Sequence, residues 1–578
     1  MYVRATPRKN NDGSVVRYLQ LAHNTWDPQA KRSRVQVLYN FGREDQANRA
    51  ALERLVASVS RFLDPDRALA ATAGEGLEFI EARPLGGTWA LDGLWGRLGI
   101  DQTMRRLLKG RRLDDRAERV LFALVANRAL APSSKLAAAG WVNDEVLIDR
   151  LEHTSDDACY RVMDWLLEIT HALEQEVFHQ VANLLNLEVD LLFFDTTSTY
   201  FELDEPDTPI ARDQRGLPLP SDGNAGDGHG DGAGDGVTPA GFRSYGKSKD
   251  HREDLPQIVI GMAVTRTGIP VRVWCWPGNT SDQVLIRQVK DDLRDWTLAR
   301  ILWVADRGFA SAENRRWLRK GDHHYIVGEK LRSGSAEATT ALQRQGRYAE
   351  VADNLRVKEV RISDAERFII CYNPEQAERD AAVRTRLLAQ LQETIAGTDK
   401  LSQTKRAELR GVLSTKPGLH RYLRVTPSGL LRIDHKTIKT EANLDGKYLL
   451  RCSDPHLSAE DIALGYKQLL QVERGWRDLK QVIDLRPVYH RKEQRIRAHV
   501  ILCWLALLLT RTIEATCGGT WPTLRRELER ITVGTFAGPA GTFRQRTEIT
   551  TTQRTILAQL ELADPPRIYQ LTPAAPAS

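Results

Sequence analysis

The chain has 578 residues, with 82 Lys+Arg against 76 Asp+Glu and a formal net charge of +6, a mild basic excess that permits a polyanionic partner without demonstrating one. Hydrophobic residues are 42% and charged residues 27% of the total, which excludes wholesale disorder, and the length suits roughly three or four domains. The six cysteines are scattered without a Cys-x-x-Cys pair, against a disulfide framework or structural zinc; Met1-Tyr2-Val3-Arg4 lacks a signal-peptide core, and the apolar run at 500–509 is too short to span a bilayer, so the reading is cytoplasmic with no membrane partner.

Residues 1–76 read as a small β unit plus a helix. Alternating runs at 15–21 and 34–39 are separated by the turn-rich stretch 23–28, and Leu52, Leu55, Val56, Val59 and Leu63 follow helical spacing. Residues 88–187 carry several helical patterns and a basic cluster of Arg105, Arg106, Lys109, Arg111 and Arg112. That composition suits a DNA-gripping helix-turn-helix or a solvated helical bundle. Residues 188–330 hold strand-like runs and a helix, which together predict a mixed sheet with a helical cover; the Gly/Asp tract at 221–236 within them reads as a flexible loop. Residues 331–446 mix strand runs with a charged helical pair and read as an insertion domain. Core-strand character returns at 448–452 within a segment spanning 447–530, and 531–578 is expected to be a tail without strong pattern. The fold class is multidomain α+β.

Two stretches of the mixed-sheet region share one design. Leu191-Leu192-Phe193-Phe194 runs into Asp195, and Ile301-Leu302-Trp303-Val304-Ala305 runs into Asp306, so two apolar strands are each expected to end in a carboxylate. Either aspartate alone reads equally as a turn or cap residue. A third acid lies on a helix predicted from Ser458 to about Asp484: Tyr466, Glu473 and Lys480 are each seven residues apart and share one helix face. Taken alone, this helix also reads as solvated and amphipathic. Two aspartates with Glu473 form an all-oxygen donor set of the kind Mg²⁺ or Mn²⁺ prefers, and two such ions suit in-line phosphoryl transfer on nucleic acid.

These residues resemble bacterial insertion-sequence transposases of the DDE class, whose third motif is Tyr-x(2)-Arg-x(3)-Glu-x(6)-Lys. Tyr466, Glu473 and Lys480 match its spacing, whereas Leu469 stands at the Arg position, a gap for Arg474, Arg477 or Lys467 to fill. Asp195-Thr196-Thr197-Ser198, Ser248-Lys249-Asp250-His251-Arg252, Gly278-Asn279-Thr280-Ser281-Asp282 and Val304-Ala305-Asp306-Arg307-Gly308 resemble the family's first and second motif regions. The resemblance implies a ribonuclease-H-like catalytic domain interrupted by a β-containing insertion. Asp195, Asp306 and Glu473 would be catalytic and would hold two Mg²⁺ or Mn²⁺ ions; Tyr466, Lys480, Arg474, Arg477, Lys249, His251 and Arg252 would contact DNA. It further implies double-stranded DNA partners, at transposon ends and target, a homodimer or higher assembly on DNA, and nucleoid association. The alternatives are a metal-dependent nuclease without strand transfer and a DNA-binding derivative that has lost catalysis.

Overall fold

The computed structural model describes residues 2–10, 13–27, 31–46, 49–63, 77–109, 116–184, 191–219, 239–296, 301–332, 334–363, 366–538 and 541–573. The Gly/Asp tract at 221–236, and Arg111 and Arg112 of the basic cluster, lie outside the described residues. Two compact units emerge: residues 1–83 with 531–549 and 565–578, and residues 84–530 with 550–564.

In the first unit, Tyr2–Lys9, Val15–Asp27 and Arg32–Arg43 form an antiparallel three-stranded sheet, followed by a helix at Arg49–Leu63. Residues 23–27 of the turn expected at 23–28 are strand, because Asn24, Thr25 and Trp26 stay paired with Val35, Arg34 and Ser33; Thr and Trp suit a pleated strand. The segment expected to be a patternless tail instead supplies three strands. Ile568–Pro573, Gly541–Arg546, Thr532–Gly538 and Glu78–Pro84 pair in that order. Phe536 stacks on Phe543 at 5.2 Å between centroids and meets Phe79 edge-on at 5.4 Å, contacts that no local periodicity announces.

The second unit is built on a nine-stranded mixed sheet. Its strands are β1 (Leu191–Tyr200), β2 (Gln257–Thr265), β3 (Pro270–Pro277), β4 (Leu302–Ala305), β5 (His324–Glu329), β6 (Ala349–Ala352), β7 (Leu355–Ser363), β8 (Glu366–Tyr372) and β9 (Lys447–Cys452). Their order is β6-β7-β8-β9-β5-β4-β1-β2-β3. β1, β4 and β5 run parallel, and the remaining pairings are antiparallel. The β2–β3 hairpin turns at Gly268, whose φ of +82° favours glycine.

One sheet face packs Leu192, Phe194, Trp274, Trp276 and Trp303 against Ile286 and Val289 of α2 (Asp282–Asp292) and Phe178 of α1 (Asp156–Leu184). Each large side chain fully buried there contributes about 1.5–3 kcal/mol. The other face carries α3 (Ala459–Lys467) and α4 (Leu470–Gln481), with α4 lying on β1 and β2. Behind β3 runs α5 (Glu493–Cys517), long and apolar enough to cross a membrane but with 78% of its apolar window buried inside the protein. It packs against α1 and against Ala117–Leu130, every residue of which is buried. The helical region therefore belongs to the second unit and is not free-standing, and the half-exposed Arg105 and Arg106 of its basic cluster are paired with Asp101, Glu118 and Glu176.

The expected insertion domain divides. Its strands β6, β7 and β8 extend the main sheet through β9, which pairs antiparallel with β5. The charged helical pair, Pro374–Ile395 and Gln403–Ser414, and the hairpin Leu423–Val425/Leu431–Ile433 gather a separate small core around Leu391, Leu413, Tyr422 and Leu431.

Candidate active site

The register of β1 on β4 ends at Phe194↔Ala305, which sets the next residues, Asp195 and Asp306, side by side. Contrary to expectation, β1 does not end at its aspartate. It continues to Tyr200, with Asp195 opposite Met262 of β2. What ends is its parallel neighbour: after Ala305 the chain turns into a short 3₁₀ segment, Arg307–Phe309, with Asp306 at its N-cap and its carboxylate not used in capping. Asp195 is thus a mid-strand acid uncovered by the termination of β4. Burial pushes its pKa up to about 6; Lys249 opposes that shift, and the Asp306 and Asp282 carboxylates reinforce it.

Lys249 is the internal counter-cation of this site. Its ammonium donates to the Thr196 carbonyl and Oγ1, both at 2.6 Å, and lies 3.5 Å from Asp195 Oδ1 and 3.4 Å from Asp282 Oδ2. Thr196 Oγ1 in turn donates to Asp282 Oδ1 at 2.9 Å. Asp282, at the start of α2, and Thr196 were not singled out from sequence as site residues. The pairs Asp195-Thr196 and Ser281-Asp282 lie inside motif-like segments, but their convergence depends on the β1–α2 packing.

The helix expected to carry Tyr466, Glu473 and Lys480 in one piece is broken. Gln468, Leu469, Gln471 and Val472 donate to carbonyls three residues back, a 3₁₀ turn separating α3 from α4. Tyr466, on α3, donates to Asp306 Oδ1 at 3.3 Å and stacks on Tyr448 at 6.1 Å. Burial and the Asp306 carboxylate raise its phenol pKa, so it acts as a neutral donor. Its hydroxyl passes so close to Gly328 of β5 that a Cβ there would meet it at 2.5 Å.

On α4, Gly475 packs on Met262, where a Cβ would meet Met262 Cε at 2.7 Å. Since Met262 lies opposite Asp195, α4 covers the face from which Asp195 projects. Glu473 itself is exposed on that helix. Among the described residues, no three His, Cys, Asp or Glu side chains are close enough to hold a metal ion. The structure brings Asp195 and Asp306 together and does not add Glu473 to them. The pair fits a hard divalent cation: its donors are carboxylate oxygens, set side by side where the β1/β4 register ends.

The other sequence-nominated residues are dispersed. Lys480 is 2.9 Å from Asp250, which also receives Arg486, so it is engaged internally. Arg474 pairs with Glu514, and Arg252 with Asp254. Arg477 and His251 are exposed, His251 with a left-handed φ of 57°. Leu469, at the signature Arg position, is 8% exposed. A cleft of about 1050 Å³ opens over Asp306 and Asp282, and its lining includes Lys247, Lys249, Arg307, Lys330, Arg332 and Lys447. Arg332 is tied to Glu441. Of these cations the sequence nominates Lys249; Arg307, adjacent to Asp306, lies in a motif-like segment but is missed as a site residue, and Lys330 and Lys447 reach the cleft only because β9 pairs with β5.

The family described as "Transposase DDE domain" matches residues 213–509, more than half of the chain and a span that includes Asp306 and Glu473 but not Asp195. "IS1634 family transposase, N-terminal domain" matches residues 3–71. No curated protein matches the chain. It is similar to the solved "Cryo-EM structure of piggyBac transposase synaptic complex with hairpin DNA (SNHP)" at 11% identity and a TM-score of 0.34, over 76% of each chain, a likeness too slight to inform the mechanism. On the family matches, the chain belongs to the insertion-sequence transposases of the DDE class.

Proposed function

We propose that this transposase cleaves a DNA strand at the transposon ends and transfers the freed 3′-hydroxyl into target DNA, using a ribonuclease-H-like core formed by β3-β2-β1-β4-β5. The observation that carries the reading is the pair of aspartates set side by side at the end of the parallel β1/β4 register, one of which, Asp306, lines a cleft walled by lysines and arginines. An acidic floor between cationic walls suits a phosphodiester: the walls hold the backbone, and the floor lies at the scissile phosphate.

Asp195 and Asp306 would hold Mg²⁺ or Mn²⁺, with Glu473 as the third ligand of a two-ion site. Ions held there would supply charge neutralisation at the phosphate and a lowered pKa for the attacking hydroxyl. Tyr466 orients the Asp306 carboxylate through its hydrogen bond and so acts as a positioning residue. Lys480 fixes the loop that carries Lys249, through Asp250. Arg474, Arg477, His251 and Arg252 would meet the DNA backbone outside the cleft. The working assembly is a homodimer or larger on double-stranded DNA.

The test is incubation with the element's own flanking DNA and Mg²⁺ or Mn²⁺, scoring 3′-hydroxyl ends and joined products separately. Cleavage with joining is expected. Cleavage without joining identifies a nuclease, and DNA binding without cleavage identifies a non-catalytic derivative.

A further inference from the structure

Lys249 sits where a cation belongs. Four oxygens surround its ammonium: the Thr196 carbonyl and hydroxyl at 2.6 Å, Asp282 Oδ2 at 3.4 Å and Asp195 Oδ1 at 3.5 Å. Its backbone N–H donates to Ser198 Oγ at 2.8 Å, so the tether is anchored to the strand that carries Asp195. The side chain remains 38% exposed, leaving the head group an open path into the cleft it lines.

We propose that Lys249 is a built-in competitor for the divalent ion, neutralising Asp195 and Asp282 in the metal-free protein and leaving Asp195 before metal binds. The proposal rests on the reading of Asp195 and Asp306 as metal ligands and concerns the resting state of that site. The same Asp195 carboxylate serves both cations, and an ammonium 3.5 Å away repels a doubly charged ion at that carboxylate. Apparent metal affinity is therefore reduced by the fraction of molecules in which Lys249 has withdrawn. DNA phosphates in the cleft give the withdrawn ammonium an alternative anion, so DNA and metal each strengthen the other's binding. The transposase thereby keeps its hydrolytic site weakly loaded until a substrate strand is present.

The experiment is calorimetric titration of Mn²⁺ into the full-length, DNA-free protein. Lys249→Met is expected to tighten Mn²⁺ binding by about tenfold or more, because the internal cation is gone. Lys249→Arg, which keeps the charge, should stay near wild type. Lys249→Gln, able to keep the hydrogen bonds to Thr196, should tighten binding like Met and stands in for it if Met disturbs folding. Asp306→Asn should weaken binding in both wild-type and Lys249→Met backgrounds. Equal or weaker affinity in both Met and Gln variants, with Asp306→Asn still weakening it, overturns the competition and leaves the metal site standing. If Asp306→Asn changes nothing, the metal reading falls and the proposal with it.

Discussion

Asp250 binds two cations at once, and that makes Lys480 the sharpest test of how the third motif works. Lys480 Nζ is 2.9 Å from Oδ1 and Arg486 Nη1 is 3.2 Å from Oδ2, with Lys480 and Asp250 only 15% and 18% exposed. A charge pair at that separation has a gross attraction of about 6 kcal/mol at an effective dielectric of about 20. Burial, which lowers the Lys480 pKa against the pull of Asp250, offsets much of it, leaving a net worth on the order of 1–3 kcal/mol. Asp250→Ala strands two cations and should cost more than Lys480→Ala, which leaves Asp250 its bond to Arg486. A double-mutant cycle by urea denaturation should return a coupling of at least about 1 kcal/mol. In DNA binding, Lys480→Ala should leave the salt dependence unchanged, whereas exposed Arg477→Ala should make the slope of log K against log salt shallower by about one. A coupling below about 0.3 kcal/mol, together with a flattened slope for Lys480→Ala, would show that Lys480 abandons Asp250 for phosphate and that its role as an internal strut is wrong.

Asp195→Asn, Asp306→Asn and Glu473→Gln should each lower the cleavage rate by about 10³-fold or more with DNA affinity little changed; near-normal cleavage by any one removes that residue from the catalytic set. Gly328→Ala should push the Tyr466 hydroxyl off Asp306, slowing cleavage and lowering stability by about 1 kcal/mol. Adding Tyr466→Phe removes the clashing oxygen and should restore the stability but not the rate, and thermal melts of the single and double variants decide it. Lys135 is buried and its pKa is pulled down to about 7, by burial first and Arg128 second. Between the folded value and the ordinary lysine value the unfolded chain holds the proton and the folded chain does not, so this group makes stability rise with pH above about 7. Lys135→Met should flatten the rise in melting temperature between roughly pH 7 and 8.5; parallel curves for the two proteins would contradict the buried, neutral lysine.

The parts of this fold that could be read from sequence are those whose signal is local. Phe193 and Phe194 announce a strand buried on both faces, and the two apolar runs entering Asp195 and Asp306 place the aspartates near a common edge. The register Phe194↔Ala305 makes them neighbours, which sequence could only pose as a condition. What could not be read depends on partners distant in the chain. Asp282 joins the site through a Thr196 hydroxyl 86 residues away, and Lys249 turns inward to it although the same lysine in a basic, polar stretch reads as a DNA contact. Phe79 meets Phe536 across nearly the whole chain, so neither the strand at 78–84 nor the C-terminal strands carry a pattern that is complete by itself. The apolar helix Glu493–Cys517 illustrates the converse: its composition fits a membrane core as well as a protein core, and only the helices and sheet around it decide between them.

The seven-residue spacing of Tyr466, Glu473 and Lys480 aligns them on one stripe only if every step turns by about 100°. Between Gly465 and Val472 four amides donate to carbonyls three residues back instead of four, and each such step turns by about 120°. A handful of tightened steps rotates α4 relative to α3 by a large part of a right angle, enough to send three residues of one motif to three different places. Tyr466 reaches Asp306, Lys480 reaches Asp250, and Glu473 is left exposed on the helix that covers the Asp195 face. Leu469 lies in the tightened turn and is buried, so an arginine there would have to move or stay unsolvated, and the cation beside the aspartates is instead Lys249. Tyr466 and Lys480 thus act on the site separately, one on Asp306 itself and the other through Asp250. Restoring regular α-helical geometry across 466–472 should therefore detach Tyr466 from Asp306 or Lys480 from Asp250, and cannot keep both.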